Sequence, residues 1–132
     1  MLSKNVETFL SCDNTWEEAG TVLFGAPFDS TTSYRPGSRF GSAAIRRESY
    51  GIESYSPYQD KDLLDSAVFD SGDLELPFGD TALALAQIEE RAAAILGAGK
   101  RPFPLGGGPL GTVGAFRAAL GTCQDIHTLP FQ

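Results

Sequence analysis

Short apolar runs alternate with longer segments of helical periodicity along this 132-residue chain. The runs at residues 21–25 (TVLFG), 67–70 (AVFD) and 101–105 (RPFPL) have the length of buried strands and are bounded by turn-forming residues. Residues 125–132 (DIHTLPFQ) have the pattern of the start of a further strand. The apolar pattern therefore predicts three strands and the beginning of a fourth.

Helical periodicity is clearest between Thr81 and about Leu96. Five apolar side chains in this segment recur on one helical stripe: Leu85, Ile88, Ala92, Ile95 and Leu96. Asp80 is placed to cap the amino end of this helix, and Gly97 is placed to end it. Two more helices are predicted, one at 110–120 and a short one at 43–50 that Ser42 would cap.

The order of these elements indicates a single α/β domain. Strands that alternate with helices through short connections predict a parallel sheet built from right-handed strand–helix–strand units. Pro102 and Pro104 do not fit the centre of such a sheet, because proline has no N–H to donate to a neighbouring strand. We therefore expect the third strand to form an exposed edge or to carry a bulge.

Composition and charge narrow the classes of partner. With 42% hydrophobic and 20% charged residues, the chain has the composition of a globular protein. Its net charge is −7, and no cluster of Lys or Arg is present, which argues against nucleic acid as a partner. No apolar run has the length of a signal-peptide core or a membrane span, and Cys12 and Cys123 form no CxxC pair. We expect a cytoplasmic protein without a membrane partner.

A glycine-rich turn at 105–116 (LGGGPLGTVGAF) offers one candidate binding site. Gly106, Gly108 and Gly111 match the spacing G-x-G-x-x-G between a predicted strand and a predicted helix, as in dinucleotide-binding proteins. In such proteins the motif belongs to the first strand–helix unit, and an acidic residue ends the next strand. Asp125 instead stands at the start of the next predicted strand and not at its end. A nucleotide-binding module is therefore a weak alternative.

Charged side chains near the strand ends offer other candidates. Asp70 and Asp73 form a carboxylate pair at the end of the second strand, and we expect them to bond to nearby backbone N–H groups of the turn. The arginines of residues 35–47 could bind an anion, but we expect them to form ion pairs with the acidic excess, each contributing about 0.5 kcal/mol where it is exposed; they are Arg35, Arg39, Arg46 and Arg47. The single histidine, His127, is interpreted as a packed or solvated side chain.

Three long segments, taken together, resemble the amino-terminal half of the ureohydrolases, the arginase and agmatinase family. These are VLFGAPFDSTTSYRPGSRFGSAAIRRESYG, YSPYQDKDLLD and VFDSGDLELPFGDT. The runs Pro-Phe-Asp-Ser-Thr-Thr and Arg-Pro-Gly-x-Arg-Phe-Gly, with Ser-Pro-Tyr, are similar to the bacterial agmatinase branch, and the likeness extends from about Asn5 to Gln132. It implies a three-layer α/β fold, with a parallel sheet covered by helices on both faces and cut to three or four strand–helix units. Residues 1–132 would then be one partial ureohydrolase domain.

The resemblance also implies a chemistry. Members of the family use two manganese ions to generate a hydroxide that hydrolyses agmatine to putrescine and urea, a step of polyamine metabolism. In the family the third strand ends in Gly-Gly-Glu-His, whose His binds metal; here Gly108 and Pro109 stand at the Glu and His positions. The next metal-binding run falls where this chain has Pro130, Phe131 and Gln132, and Gln132 stands at the first ligand Asp.

From this alignment we expect no catalytic residue, no metal ligand and no bound cofactor in the chain, and no activity of the chain alone. The family assigns long loops to the pocket mouth and to subunit contacts, and five residues here fall on such positions: Tyr34, Arg35, Arg39, Tyr58 and Asp73. Besides the nucleotide-binding module, the resemblance implies two possible roles for this chain. One is an inactive agmatinase-like fragment, and the other is an interaction partner of a full-length ureohydrolase. A homo-oligomer is also expected, through sheet edges that lack a neighbour.

Overall fold

Three parallel strands form the centre of the protein in the computed structural model, which describes residues 7–106 and 108–122. In chain order, the strands of the molecule are β1 (Thr21–Ala26), β2 (Tyr55–Ser56), β3 (Lys61–Asp62), β4 (Val68–Asp73) and β5 (Arg101–Gly106). The helices are α1 (Gly41–Ser49), α2 (Thr81–Gly97) and α3 (Pro109–Leu120). The parallel sheet has the order β4-β1-β5, while β2 and β3 form a separate antiparallel hairpin. The predicted parallel α/β architecture is confirmed.

One face of the sheet packs against α2 and α3. Val22, Phe24 and Ala26 of β1 point to this side and are almost fully buried. They form one apolar cluster with side chains of both helices and of neighbouring elements, including Phe69, Ile88, Ala92, Ile95 and Ala118. The stripe expected on the second helix is confirmed, because Ile88, Ala92 and Ile95 are wholly buried.

The other face of the sheet contacts α1 and the amino-terminal segment. The N–H of Phe9 donates to Asp70 Oδ2 at 2.8 Å, and the N–H of Leu10 donates to Ser49 Oγ at 2.9 Å. The hydroxyl of Tyr50 donates to the carbonyl of Thr8 at 2.8 Å. These bonds attach residues 8–10 to both α1 and β4, so helices and chain cover both faces of the sheet.

A bulge interrupts the pairing of β4 with β1. Leu23 lies opposite Asp70, but Gly25 lies opposite Asp73, so β4 carries one extra residue between these pairs. Gly72 adopts a φ of 79°, a conformation that suits glycine, within this bulge. In a regular strand, residues three apart point to opposite faces. The bulge cancels that alternation and leaves Asp70 and Asp73 within reach of the same side chain.

The third strand is confirmed as an edge of the described sheet, because β5 pairs with β1 alone there. The N–H of Arg101 donates to the carbonyl of Gly20 on the side of β1. Successive backbone N–H groups of a strand point to opposite sides, so the nitrogens of Pro102 and Pro104 face away from β1. The missing N–H groups of these prolines therefore remove no hydrogen bond between β5 and β1. The fourth strand predicted at 125–132 lies outside the described residues.

Helix ends agree with the sequence in one case and differ in another. The Asp80 carboxylate accepts the N–H of Leu83 at 2.9 Å and caps α2 as predicted. The prediction that Ser42 caps the first helix is wrong. A 3-10 turn at Ser38–Phe40 leads directly into α1, so Ser42 lies inside the first turn of that helix. Its hydroxyl donates to Asp73 Oδ2 at 2.9 Å instead.

Candidate functional site

The carboxyl ends of β1, β4 and β5 meet at one edge of the sheet, where parallel α/β proteins usually place their sites. Loops 27–40 and 74–80 and the glycine turn before α3 leave the sheet here. At the turn, Gly108 lies near the carbonyl of Phe28, since a Cβ added to Gly108 would be 3.9 Å from that oxygen. This edge is therefore the candidate site.

A buried arginine is the main electrostatic feature next to this edge. Arg46 of α1 is 1% exposed and Asp70 is fully buried. The guanidinium donates from Nε to Asp70 Oδ2 at 2.7 Å and from Nη2 to Asp70 Oδ1 at 2.9 Å, and it donates from Nη1 to Asp73 Oδ1. Burial acts to lower the pKa of Arg46, but the bonds to Asp70 and Asp73 outweigh it and raise that pKa. The guanidinium stays charged.

Backbone geometry makes room for this cluster. Asp70 also accepts the N–H of Gly72 at 2.9 Å, which confirms the expected turn role of that carboxylate. A Cβ added to Gly25 would overlap the Asp73 carboxylate and would lie 2.9 Å from the Cβ of Ser42. Gly25 therefore permits the contact between α1 and the end of β4. The expectation that Arg46 pairs with acidic residues is confirmed, but the pair is buried and not exposed, because α1 turns Arg46 inward against two carboxylates.

A second arginine organises the loops above the sheet. Arg39 lies with its guanidinium carbon 4.7 Å from the ring centre of Phe78 and 5.0 Å from that of Phe40. Its Nε is 3.8 Å from Asp29 Oδ2, and the Asp29 carboxylate accepts the N–H of Gly37 at 2.8 Å. Asp29 is buried, whereas Phe40 and Phe78 are mostly exposed. Arg39 therefore connects loop 27–40 with loop 74–80 by stacking and charge.

The other loop residues named from the sequence lie apart from this connection. Tyr34 is 82% exposed, and the guanidinium of Arg35 stacks on its ring at 5.3 Å. Tyr58, 99% exposed, lies in the turn of the β2–β3 hairpin. Asp73 ends β4 with its side chain 31% exposed and borders a groove of about 560 Å³ between β4 and α2. The pocket-mouth role of the five named residues stays a prediction.

Between the end of β5 and the start of α3, the described residues Gly106, Gly108 and Pro109 have no polar side-chain atom. β5 ends at Gly106, Gly108 precedes α3 in an extended conformation, and Pro109 is the first residue of α3. Gly111 packs close to β1, with an added Cβ 3.9 Å from the Cβ of Ala26. Gln132, which stands at the position of the family's first ligand Asp, lies outside the described residues. His127 lies outside them as well.

The carboxylates near this edge do not form a metal-binding set. Asp29 accepts backbone N–H groups, and Asp70 and Asp73 accept from Arg46. In residues 7–106 and 108–122, no group of three or more His, Cys, Asp or Glu side chains is arranged to hold a metal ion. The same part of the chain contains no helix long and apolar enough to span a membrane.

Sequence reasoning missed two features of this edge. It did not predict the Arg46–Asp70–Asp73 cluster or the stacking of Arg39 on Phe78. The run Phe-Asp-Ser-Gly-Asp held a signal for the first, since a glycine inside a strand often marks a bulge that redirects side chains. No local pattern indicates the second, because residues 39 and 78 lie far apart in sequence.

Comparison with known proteins places this geometry in context. The sequence profile of the arginase family matches residues 19–131. An agmatinase of Bacillus subtilis is 44% identical over 125 residues, which cover 95% of this chain and 43% of that protein. The crystal structure of agmatine ureohydrolase of Thermoplasma volcanium superposes with a TM-score of 0.81 at 38% identity, over 86% of this chain and 39% of that one.

A third similar protein is named for a different substrate. Proclavaminate amidino hydrolase from Streptomyces clavuligerus superposes with a TM-score of 0.76 at 31% identity, over 89% of this chain and 40% of that one. The chain thus spans about two fifths of the length of the relatives it matches.

Proposed function

The chain belongs to the arginase family, and we propose that it forms the first strand–helix units of an agmatinase-type ureohydrolase domain. The reaction of such a domain is the manganese-dependent hydrolysis of agmatine to putrescine and urea. The length and identity of the match to bacterial agmatinases support this assignment over other members of the family. We further propose that these residues supply the frame of the domain and none of its metal chemistry.

The observation that carries the second proposal is the turn between β5 and α3. A binuclear manganese site needs several Asp oxygens and His nitrogens. The family's first histidine ligand falls on Pro109, which has no side-chain donor, and the Glu before it falls on Gly108. The nearby carboxylates of Asp70 and Asp73 already neutralise Arg46. The donor set of the described residues therefore does not fit two manganese ions.

A second candidate role is assembly with a full-length ureohydrolase. The observation that favours it is an apolar groove on the face of the sheet opposite α2 and α3. Phe103 of β5 is 56% exposed and borders this groove of about 240 Å³ together with Leu23 and Leu105. A partner that covers this groove would bury apolar surface that now faces solvent.

Urea release from agmatine tests the proposed lack of metal chemistry. The purified 132-residue chain is assayed with added manganese, with a bacterial agmatinase measured in parallel as a positive control. We expect no urea above the buffer background. A manganese-dependent signal that copurifies with the chain and disappears on chelation would contradict the proposal. Pro109→His serves as a matched variant, and it is expected to stay inactive because one donor cannot hold two ions.

A further inference from the structure

The groove between β4 and α2 contains polar side chains whose hydrogen-bonding groups the fold uses only in part. Its volume of about 560 Å³ lies within the size range of small-molecule sites. The charged and polar residues that line it are Ser71, Asp73, Glu75, Gln87, Glu90 and Arg91. Asp73 alone of these belongs to the Arg46–Asp70–Asp73 cluster, so the groove is distinct from that cluster.

Arg91 is a partly buried cation that forms no ion pair with a carboxylate within residues 7–106 and 108–122. Its Nη1 donates to Ser71 Oγ at 3.2 Å, and the hydroxyl of Ser71 in turn donates to the carbonyl of Leu23 at 3.1 Å. Burial lowers the pKa of Arg91, while the charge of Glu90 acts in the opposite direction. A guanidinium has five N–H donors, so Arg91 keeps donors for an acceptor in the groove.

Gln87 adds an acceptor one helical turn from Arg91. The two residues are four apart on α2, a spacing that places their side chains next to each other on one face of the helix. Gln87 Oε1 is buried and accepts no hydrogen bond from the part of the chain that the structure describes. A buried acceptor without a donor destabilises a fold. The terminal torsion of glutamine is broad, so the amide can turn this oxygen towards a donor in the groove.

The charges around the groove select the kind of molecule that fits. Glu75 and Glu90 are exposed, and neither carboxylate forms an ion pair with another described residue. A simple anion on Arg91 would meet these like charges, whereas a simple cation would leave Arg91 without an acceptor. A molecule that carries a carboxylate and an ammonium a few bonds apart meets both demands. Its carboxylate accepts from Arg91, and its ammonium donates to Gln87 on the acidic side of the groove.

We propose that the groove between β4 and α2 binds a small zwitterion of the amino-acid class, held at its carboxylate by Arg91 and at its ammonium by Gln87. Glycine is the smallest molecule of this class and serves as the probe. The site consists of side chains of β4, of α2 and of the loop between them, and it uses neither the turn between β5 and α3 nor a metal ion. It therefore does not depend on the proposed function.

NMR titration of the full chain with glycine tests the proposal. The side-chain signals of Arg91 Nε–H and of the Gln87 amide report on the groove directly, and we expect both to shift and to saturate together. Acetate and methylammonium each carry one of the two charges, so each should bind at least about tenfold more weakly than glycine. Acetate that binds as tightly as glycine would overturn the proposal, because it would show a general anion site.

Two substitutions separate binding from folding. Arg91→Met should weaken glycine binding at least about tenfold, whereas Arg117→Met, which removes an exposed arginine of α3, is the matched control and should leave it unchanged. Gln87→Leu should also weaken binding but should not lower the melting temperature, because it removes a buried acceptor that lacks a donor. The absence of saturable shifts with glycine would overturn the proposal. So would an affinity for glycine that Gln87→Leu leaves unchanged.

Discussion

Replacement of Arg46 by methionine tests how the buried cluster stabilises the fold. The change removes three N–H donors from two carboxylates and leaves fully buried Asp70 without its cation. Removal of one partner of a buried pair costs about 3–5 kcal/mol. Asp70 keeps the N–H groups of Phe9 and Gly72, so we expect the lower end, about 3 kcal/mol. At about 4 °C per kcal/mol for a domain of this size, the melting temperature should fall by about 12 °C.

Thermal and urea unfolding, followed by circular dichroism, measure this effect. Arg47→Met is the matched control, because Arg47 is the adjacent, exposed arginine and its loss should cost less than about 0.5 kcal/mol. The double variant Arg46→Met/Asp70→Asn should be destabilised less than the sum of its single changes, by at least about 1 kcal/mol. Arg46→Met within 1 kcal/mol of the parent, or strictly additive costs, would refute a coupled buried pair.

Three further changes probe other parts of the structure. Gly25→Ala should lower the free energy of unfolding by about 1–3 kcal/mol, because its Cβ would displace the Asp73 carboxylate. Gly20→Ala is the matched control, because the space around Gly20 is open. Equal unfolding curves for the two variants would contradict this prediction. Millimolar manganese should raise the melting temperature no more than magnesium does, and a rise of several degrees specific to manganese would show a bound ion. Burial of the Cys12 thiol, and then the negative charges of Asp70 and Asp13, raise its pKa to about 11. The folded state therefore favours the protonated thiol, and this contribution to the free energy of unfolding is complete below the pKa of the thiol in the unfolded chain. It is lost as the pH rises towards 11. In a Cys123→Ala background, a thiol reagent at pH 8 should modify Cys12 only after urea unfolds the chain, and rapid modification of the folded chain would contradict its burial.

Elements with strong local signals were predictable from the sequence. Helix α2 begins after its Asp80 cap and buries its apolar stripe, because cap and periodicity are properties of neighbouring residues. The prolines of β5 pointed to an edge for a similar local reason, since each lacks an N–H. The parallel sheet also followed from the alternation of strands and helices along the chain.

Features that depend on contacts distant in sequence were not predictable from local patterns. Arg46 faces inward because α1 lies over the bulge in β4. The sequence of α1 alone does not indicate that two carboxylates lie next to Arg46. Ser42 has the residue type of a helix cap, but the 3-10 turn at Ser38–Phe40 makes α1 begin at Gly41, before Ser42. The Ser42 hydroxyl therefore donates to Asp73 and does not cap the helix. The exposure of Val113, Phe116 and Leu120 on α3 likewise depends on how closely Gly114 approaches α2.

Urea release by a chimera tests most directly whether this chain is a ureohydrolase frame whose metal-binding corner has been lost. Residues 19–122 of this chain replace the matching part of an active bacterial agmatinase, and the folded chimera is assayed with agmatine and manganese. We predict no urea from the chimera and recovery of urea release after Gly108→Glu and Pro109→His. Urea release by the unaltered chimera, or a folded chimera that stays inactive after both substitutions, would contradict this account.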